Sequence, residues 1–229
     1  MGGVVVEGDV LDTLACLSEP AAMVYLDPPF GHGTKFRFSP GELLDLVNLA
    51  WDRTSDDGIV YLHGDPRLFS TLNWLALPRC CGWIAWQNGW VSGFKSRSTR
   101  FWPRQYQLIA GFAREGWRWR RVERPKPEGY VRRGGGGGSG FVVSDWWDDI
   151  TPVDQASFSK EKVGYPTQKP VVLLKRLIVG STDLGDLVVD PMCGSGTTAV
   201  AAERTGRRFV VGDASAKALR LTRERLVEG

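Results

Sequence analysis

The stretch from Leu187 to Thr198 constrains the fold more than any other part of this sequence. It reads Leu-Val-Val-Asp-Pro-Met-Cys-Gly-Ser-Gly-Thr-Thr. A short apolar run ends in an acid, turns through two glycines and opens onto a helix-forming segment. That succession suits a buried strand, a tight turn and a helix N-terminus. Similar apolar runs recur at Val4–Val6, Met23–Leu26, Ile59–Leu62, Trp83–Trp86, Gln107–Phe112 and Phe209–Val211. The spacing predicts helices over Glu42–Trp51, Val171–Val179, Thr197–Arg204 and Ala216–Val227, the last capped by Asp213 or Ser215. Strands alternating with helices predict an α/β fold built on a parallel, doubly wound sheet.

The 229 residues are enough for one large domain with a real core, and 24% charged residues make wholesale disorder improbable. No apolar run approaches the ~20 residues of a membrane span. The N-terminus lacks a basic region and reads poorly as a signal peptide. Cys16, Cys80, Cys81 and Cys193 form no Cys-x-x-Cys pair, and there are only two histidines. Neither a zinc site nor a disulfide scaffold is expected, so the metal expectation is none and the compartment is reducing.

Residues 95–133 hold twelve Lys or Arg against three acids, a local excess of +9 that leaves the rest of the chain at −6. Six of the ten tryptophans lie in or just before this stretch. Guanidinium forks hold phosphates and aromatic faces stack on bases. A solvated basic face beside a tryptophan-rich core explains the same composition. The rhythm of strands and helices breaks over 113–164, which includes Gly134–Gly138. Five consecutive glycines hold no regular element; a natural loop and an engineered linker read alike there.

Three motifs carry chemistry. Asp190 to Thr198 forms a ligand-approachable turn, and the next strand ends in Gly212-Asp213, an acid placed for ribose hydroxyls. Together they point to an adenosine-containing cofactor, although a glycine turn alone is a weak signal. Asp27-Pro28-Pro29-Phe30 follows the strand Met23–Leu26. An exocyclic amine on a base is a poor nucleophile because its lone pair is delocalised. A carboxylate and a proline-fixed carbonyl can accept both amine hydrogens, and an aromatic ring can stack on the base. A rigid proline turn is the plainer explanation. The third motif, Tyr165-Pro-Thr-Gln-Lys-Pro170, is either a proline-rich helix entry or a polar lid whose Lys169 meets a carboxylate.

The order of these motifs resembles that of the β-type exocyclic-amino DNA methyltransferases. It runs Gly8-Asp9, Asp27–Phe30, an insertion over roughly 113–164, Pro166–Pro170, Asp190–Thr198 and Asp213. The resemblance spans almost the whole chain. This chain departs from the pattern in carrying Asp213 where a glutamate is common, and in its short insertion. The resemblance implies S-adenosylmethionine as cofactor and double-stranded DNA as substrate, with no metal and no membrane. It implies a Rossmann-like seven-stranded sheet of order 3-2-1-4-5-7-6, circularly rearranged. Residues 1–112 and 165–229 would form one methyltransferase domain and 113–164 a target-recognition insertion.

By the same resemblance, Asp27, Pro28, Pro29 and Phe30 would bind the target base, with Asp27 also touching the cofactor. Asp190, Cys193, Gly194 and Gly196 would line the cofactor loop, Asp213 bind the ribose, Asp9 the adenine, and Lys169 with Thr167 the methionine end. The charge excess of residues 95–133, rather than the resemblance, is the reason to expect Arg97, Arg100, Arg104, Arg118, Arg121 and Arg132 to contact DNA. Methyl transfer to a base flipped from the duplex is implied, in the cytoplasm of a prokaryote or a phage host. Family members with Asp at the head of the clamp often act on adenine N6, so Asp27 favours adenine over cytosine N4. A homodimer and a cognate restriction endonuclease are left open. Cytosine C5 methylation needs a Pro-Cys nucleophile, which is missing. A ribosomal-RNA guanine-N2 methyltransferase usually places the cofactor motif first. A silent DNA-binding module would not need both motifs.

Overall fold

The computed structural model describes residues 2–29, 38–89, 105–125, 140–156 and 160–227. Phe30, Arg97, Arg100, Arg104, Arg132 and the Gly134–Gly138 run lie outside the described residues. The order of elements is β1 (Gly3–Glu7), α1 (Val10–Ala15), β2 (Ala21–Leu26), α2 (Pro40–Asp52), β3 (Thr54–Gly64), α3 (Pro66–Ser70), a 3-10 turn (Trp74–Ala76), β4 (Cys80–Gln87) and β5 (Tyr106–Ala113). Then come β6 (Glu123–Pro125), β7 (Gly140–Val142), β8 (Trp146–Trp147), α4 (Val171–Ser181), β9 (Leu187–Asp190), α5 (Thr197–Arg204), β10 (Arg208–Asp213) and α6 (Ala216–Val227).

Eight strands form one sheet in the order β1-β10-β9-β2-β3-β5-β4-β8. The first five run parallel, and β5 pairs antiparallel with both β3 and β4. The sheet thus has one strand more than the seven expected: Trp146–Trp147 adds to the edge beside Ala85 and Trp86. Two residues give no periodicity to read, so this pairing is not visible in the sequence. Residues 123–125 and 140–142 make a separate two-stranded sheet.

The apolar runs are continuous because both faces of the sheet are covered. Along β2, Met23 and Tyr25 face one core, and Val24 and Leu26 face the other. The first core is closed by α4, α5 and α6 through residues such as Leu173, Ala199 and Leu219. The second is closed by α1, α2 and α3 through Leu14, Leu43, Val47 and Phe69. From β9 the chain crosses by α5 to β10 on one side; from β2 it crosses by α2 to β3 on the other. The neighbours β9 and β2 therefore flank the point where the winding reverses, and open sheets of this kind bind ligands at the carboxyl ends there. Asp190 ends β9 and Asp27 immediately follows β2.

Candidate functional site

A cavity of about 620 Å³ opens above the carboxyl ends of β9, β2 and β10. Asp9, Asp27, Pro29, Thr167, Lys169, Asp190, Cys193, Gly194 and Asp213 all line it, so one space gathers residues from four sequence motifs. Gly196 does not line it; it caps the N-terminus of α5 in a left-handed conformation, φ 75°. A Cβ there would meet Thr222 Oγ1 at 2.5 Å, so only glycine lets α6 approach the loop. Gly194, φ 51°, is closed off in the same way by the Tyr165 ring at 2.9 Å.

Backbone donors set the acids. Asp190 is 2% exposed; it accepts from Met192 N at 3.0 Å and from the Thr198 hydroxyl. Burial pushes its pKa up to about 7 despite those donors, and Asp27 and Asp213 add to the rise. Asp213 accepts from Gly194 N at 2.9 Å and Ser215 N at 2.8 Å, which ties the turn after β9 to the end of β10. A carboxylate still has acceptor sites after two such bonds. The loop's Cys193 N–H donates to Gly212 O at 2.8 Å, and burial raises the Cys193 thiol far above its ordinary range.

Asp9 also caps α1: its Oδ1 accepts from Leu11 N at 2.7 Å and Asp12 N at 3.0 Å. The acid expected to hold adenine thus also has a structural duty, and Asp12 completes the capping box.

Lys169 Nζ pairs with Asp27 Oδ2, with Lys169 at 8% side-chain exposure and Asp27 at 17%. The lid motif and the clamp motif, 142 residues apart in sequence, are joined by this ion pair. Burial raises the Asp27 pKa, and the Lys169 ammonium opposes that rise. The other carboxylate oxygen, Oδ1, is buried and accepts no hydrogen bond among the described residues. An uncommitted buried acceptor is costly and calls for an explanation, and Asp27 is one of the residues that line the cavity. Pro28 is buried and Pro29 exposed beside it.

One residue that holds this site, Arg225, is absent from the sequence reading, and Gln168 figures there only as part of the Tyr165–Pro170 motif. Arg225 on α6, 8% exposed, donates to Ser195 O at 2.7 Å and to Thr197 Oγ1 at 3.0 Å. Gln168 fastens the lid by donating to Glu161 O at 2.6 Å and accepting from Val163 N at 3.1 Å. Arginine in an amphipathic helix looks like a solvated face, and only the three-dimensional contact distinguishes it. Of the arginines assigned to DNA, Arg118 and Arg121 are described. Both are exposed; Arg118 donates to the carbonyls of Glu115 and Trp117, and Arg121 pairs with Glu123 at 2.7 Å. Among the described residues no His/Cys/Asp/Glu group is arranged to hold a metal, and no helix is long and apolar enough to cross a membrane.

Known proteins resemble this chain in sequence and in fold. The model of the DNA methylase family of N6 and N4 enzymes matches residues 21–224. The type II methyltransferase M2.DpnII of Streptococcus pneumoniae is 53% identical over 62 residues, 27% of this chain and 23% of that enzyme. The curated relatives it matches are aligned over a quarter or less of their own length. Among solved structures, the M1.HpyAVI–SAM complex superposes with a TM-score of 0.70 at 18% identity, covering 97% of this chain and 98% of that one. The cytosine-N4-specific PvuII DNA methyltransferase gives 0.68 at 16% identity, covering 98% and 86%. The solved structures share the fold; the family match, which covers most of the sequence, shows that this chain belongs to the DNA methylase family of N6 and N4 methyltransferases.

Proposed function

We propose that this chain transfers a methyl group from S-adenosylmethionine to adenine N6 of a base flipped out of double-stranded DNA. The observation that carries the reading is the shared cavity, lined by Asp27, with its unfilled buried acceptor, by the glycine loop and by three further acids, Asp9, Asp190 and Asp213. S-adenosylmethionine is the methyl donor of this family. The residues present suit it: about 620 Å³ lies within the ~300–1,000 Å³ of small-molecule sites, and the glycines let a ligand reach the backbone. Asp213 would hold the ribose, with Asp190, Cys193 and Gly194 walling the loop. Asp9 stays assigned to the adenine, and Thr167 and Lys169 to the methionine end. When bound, the cofactor supplies an electrophilic methyl group.

The chain's own part is to hold the amine. Asp27 Oδ1 accepts one amine hydrogen, the Pro28 carbonyl the other, and Phe30 stacks on the ring. Held so, the nitrogen lone pair leaves the plane of the base and is free to attack. Asp27 is held in turn by Lys169, whose ammonium favours the ionised carboxylate and opposes the rise that burial causes. Adenine N6 is preferred because the clamp begins with Asp; cytosine N4 is the second reading, since the same acceptors suit either amine. Residues 113–164 are proposed as the target-recognition insertion between the two parts of the methyltransferase domain, 1–112 and 165–229. Tritium from methyl-labelled cofactor should pass to DNA and not to ribosomal RNA; the reverse would favour the guanine-N2 reaction, and transfer to neither a binding module.

Two further outcomes are expected. A folded Asp213→Ala variant should bind S-adenosylmethionine about tenfold or more weakly in calorimetry, the scale of losing hydrogen bonds to a charged group. Unchanged affinity would remove Asp213 from the ribose. The basic stretch should act on phosphates, each contact adding roughly −0.9 to the slope of log affinity against log salt. The double variant Arg118→Ala, Arg121→Ala should flatten that slope, and an unchanged slope would move the DNA surface elsewhere.

A further inference from the structure

Among the described residues Thr167 is the one non-glycine in the left-handed region, φ 59°. That backbone is costly for a β-branched side chain and persists only where the surroundings impose it. Thr167 lines the cavity, two residues before the buried Lys169 that pairs with Asp27. The constraints lie on either side of it in the chain. Helix α4 begins at Val171, and its N-cap, Pro170, offers no side-chain acceptor to the unpaired N–H groups of the first turn. Glu161 supplies one from ten positions upstream: its Oε2 accepts from Val171 N at 3.0 Å. A carboxylate also suits the positive end of a helix. Between them, Gln168 donates to Glu161 O at 2.6 Å and accepts from Val163 N at 3.1 Å. The lid is thus a ring closed at Glu161, with Thr167 inside it. Lys169 O is tied in addition to α5, accepting from the Thr197 hydroxyl at 3.1 Å.

We propose that Glu161 is a positioning residue for methyl transfer: by closing the lid onto the start of α4 it holds Thr167 in its left-handed turn and so sets Lys169 against Asp27. The inference rests on the reading of Asp27 as the amine clamp. Releasing Val171 N–H would let Thr167 relax toward an ordinary backbone conformation, and a rotation there displaces the residues that follow it. The titratable groups that act on Asp27 or are acted on by it are Lys169 of the lid, Asp190 of β9 and Tyr25 of β2; His63 of β3 feels the charge of Lys169. Glu161 itself favours the charge of Arg225 on α6.

Rate–pH profiles of the full chain at saturating S-adenosylmethionine test it. Glu161→Ala should lower kcat about ten- to a hundredfold, the scale of a small misplacement. It should also move the acid limb to higher pH, because a displaced ammonium opposes the burial of Asp27 less well. Loss of a negative charge by itself would move the limb the other way. Glu161→Gln loses that charge and its influence on Arg225 but keeps an acceptor for Val171 N–H; it should stay close to wild type, with the limb not raised. If Glu161→Ala does not fold, Gln168→Ala, which opens the ring at its other tie, should show the same raised limb. A limb unmoved or lowered in the folded variant, or a Glu161→Gln enzyme as impaired as Glu161→Ala, would overturn the inference and leave the clamp standing. A wild-type chain that transfers no methyl group would overturn both.

Discussion

Asp27→Ala is expected to lower methyl transfer by about a thousandfold, roughly 4 kcal/mol of barrier, while part of the cofactor and DNA binding survives. The carboxylate does not react. It holds an amine hydrogen through Oδ1, the buried oxygen with no other donor. Without it the nitrogen lone pair relaxes back into the ring and no longer points at the methyl group. The loss should therefore fall on kcat, with a smaller change in KM. Removing Asp27 also takes away the carboxylate that pairs with the buried Lys169 ammonium, which costs stability. Asp27→Asn, which keeps an acceptor oxygen and spares the shape, separates the effects: it should retain more transfer than alanine at equal thermal stability. Near-wild-type turnover of Asp27→Ala would remove the clamp from the mechanism.

Lys169→Met carries the second large effect. Burial raises the Asp27 pKa, and Lys169 holds that rise in check. Without the ammonium only burial remains, so the carboxyl keeps its proton to higher pH. Because the clamp needs the ionised form, transfer at neutral pH should fall by about ten- to a hundredfold. The acid limb of the rate profile should move to higher pH, and alkaline buffer should restore much of the rate. The sign is diagnostic: if Lys169 served the cofactor's methionine end alone, KM for the cofactor would rise and the acid limb would stay. A rate–pH profile of the variant at saturating cofactor distinguishes the two.

What the sequence reveals depends on the range of the interaction. The strands were legible because both faces of the sheet are buried, which turns each into an apolar run such as Met23–Leu26. The bounds of α5 and α6 match their expected ranges, because a glycine turn and the Asp213–Ser215 segment punctuate their starts. Local signals fared worse where two functions share a residue: Asp9 reads as a ligand acid yet caps a six-residue helix too short to show a period. Edge strand β8 has two residues and owes its place to pairing with β4, far from it in the sequence. The motifs of the site were visible, but not how they meet. The Lys169–Asp27 pair, the Tyr25–His63 bond and the Arg225 brace join residues 142, 38 and 30 positions apart. Nothing in the spacing of such residues specifies a partner; the winding of the sheet does.

On the proposed reading, this cavity methylates an exocyclic amine. Incubating the purified chain with DNA and isotopically labelled S-adenosylmethionine, digesting the product and analysing its nucleosides by mass spectrometry tests it most directly. Label in N6-methyladenine is the predicted result. Label in N4-methylcytosine alone would keep the clamp and overturn the choice of base, whereas label in 5-methylcytosine, or in no nucleoside, would contradict the account.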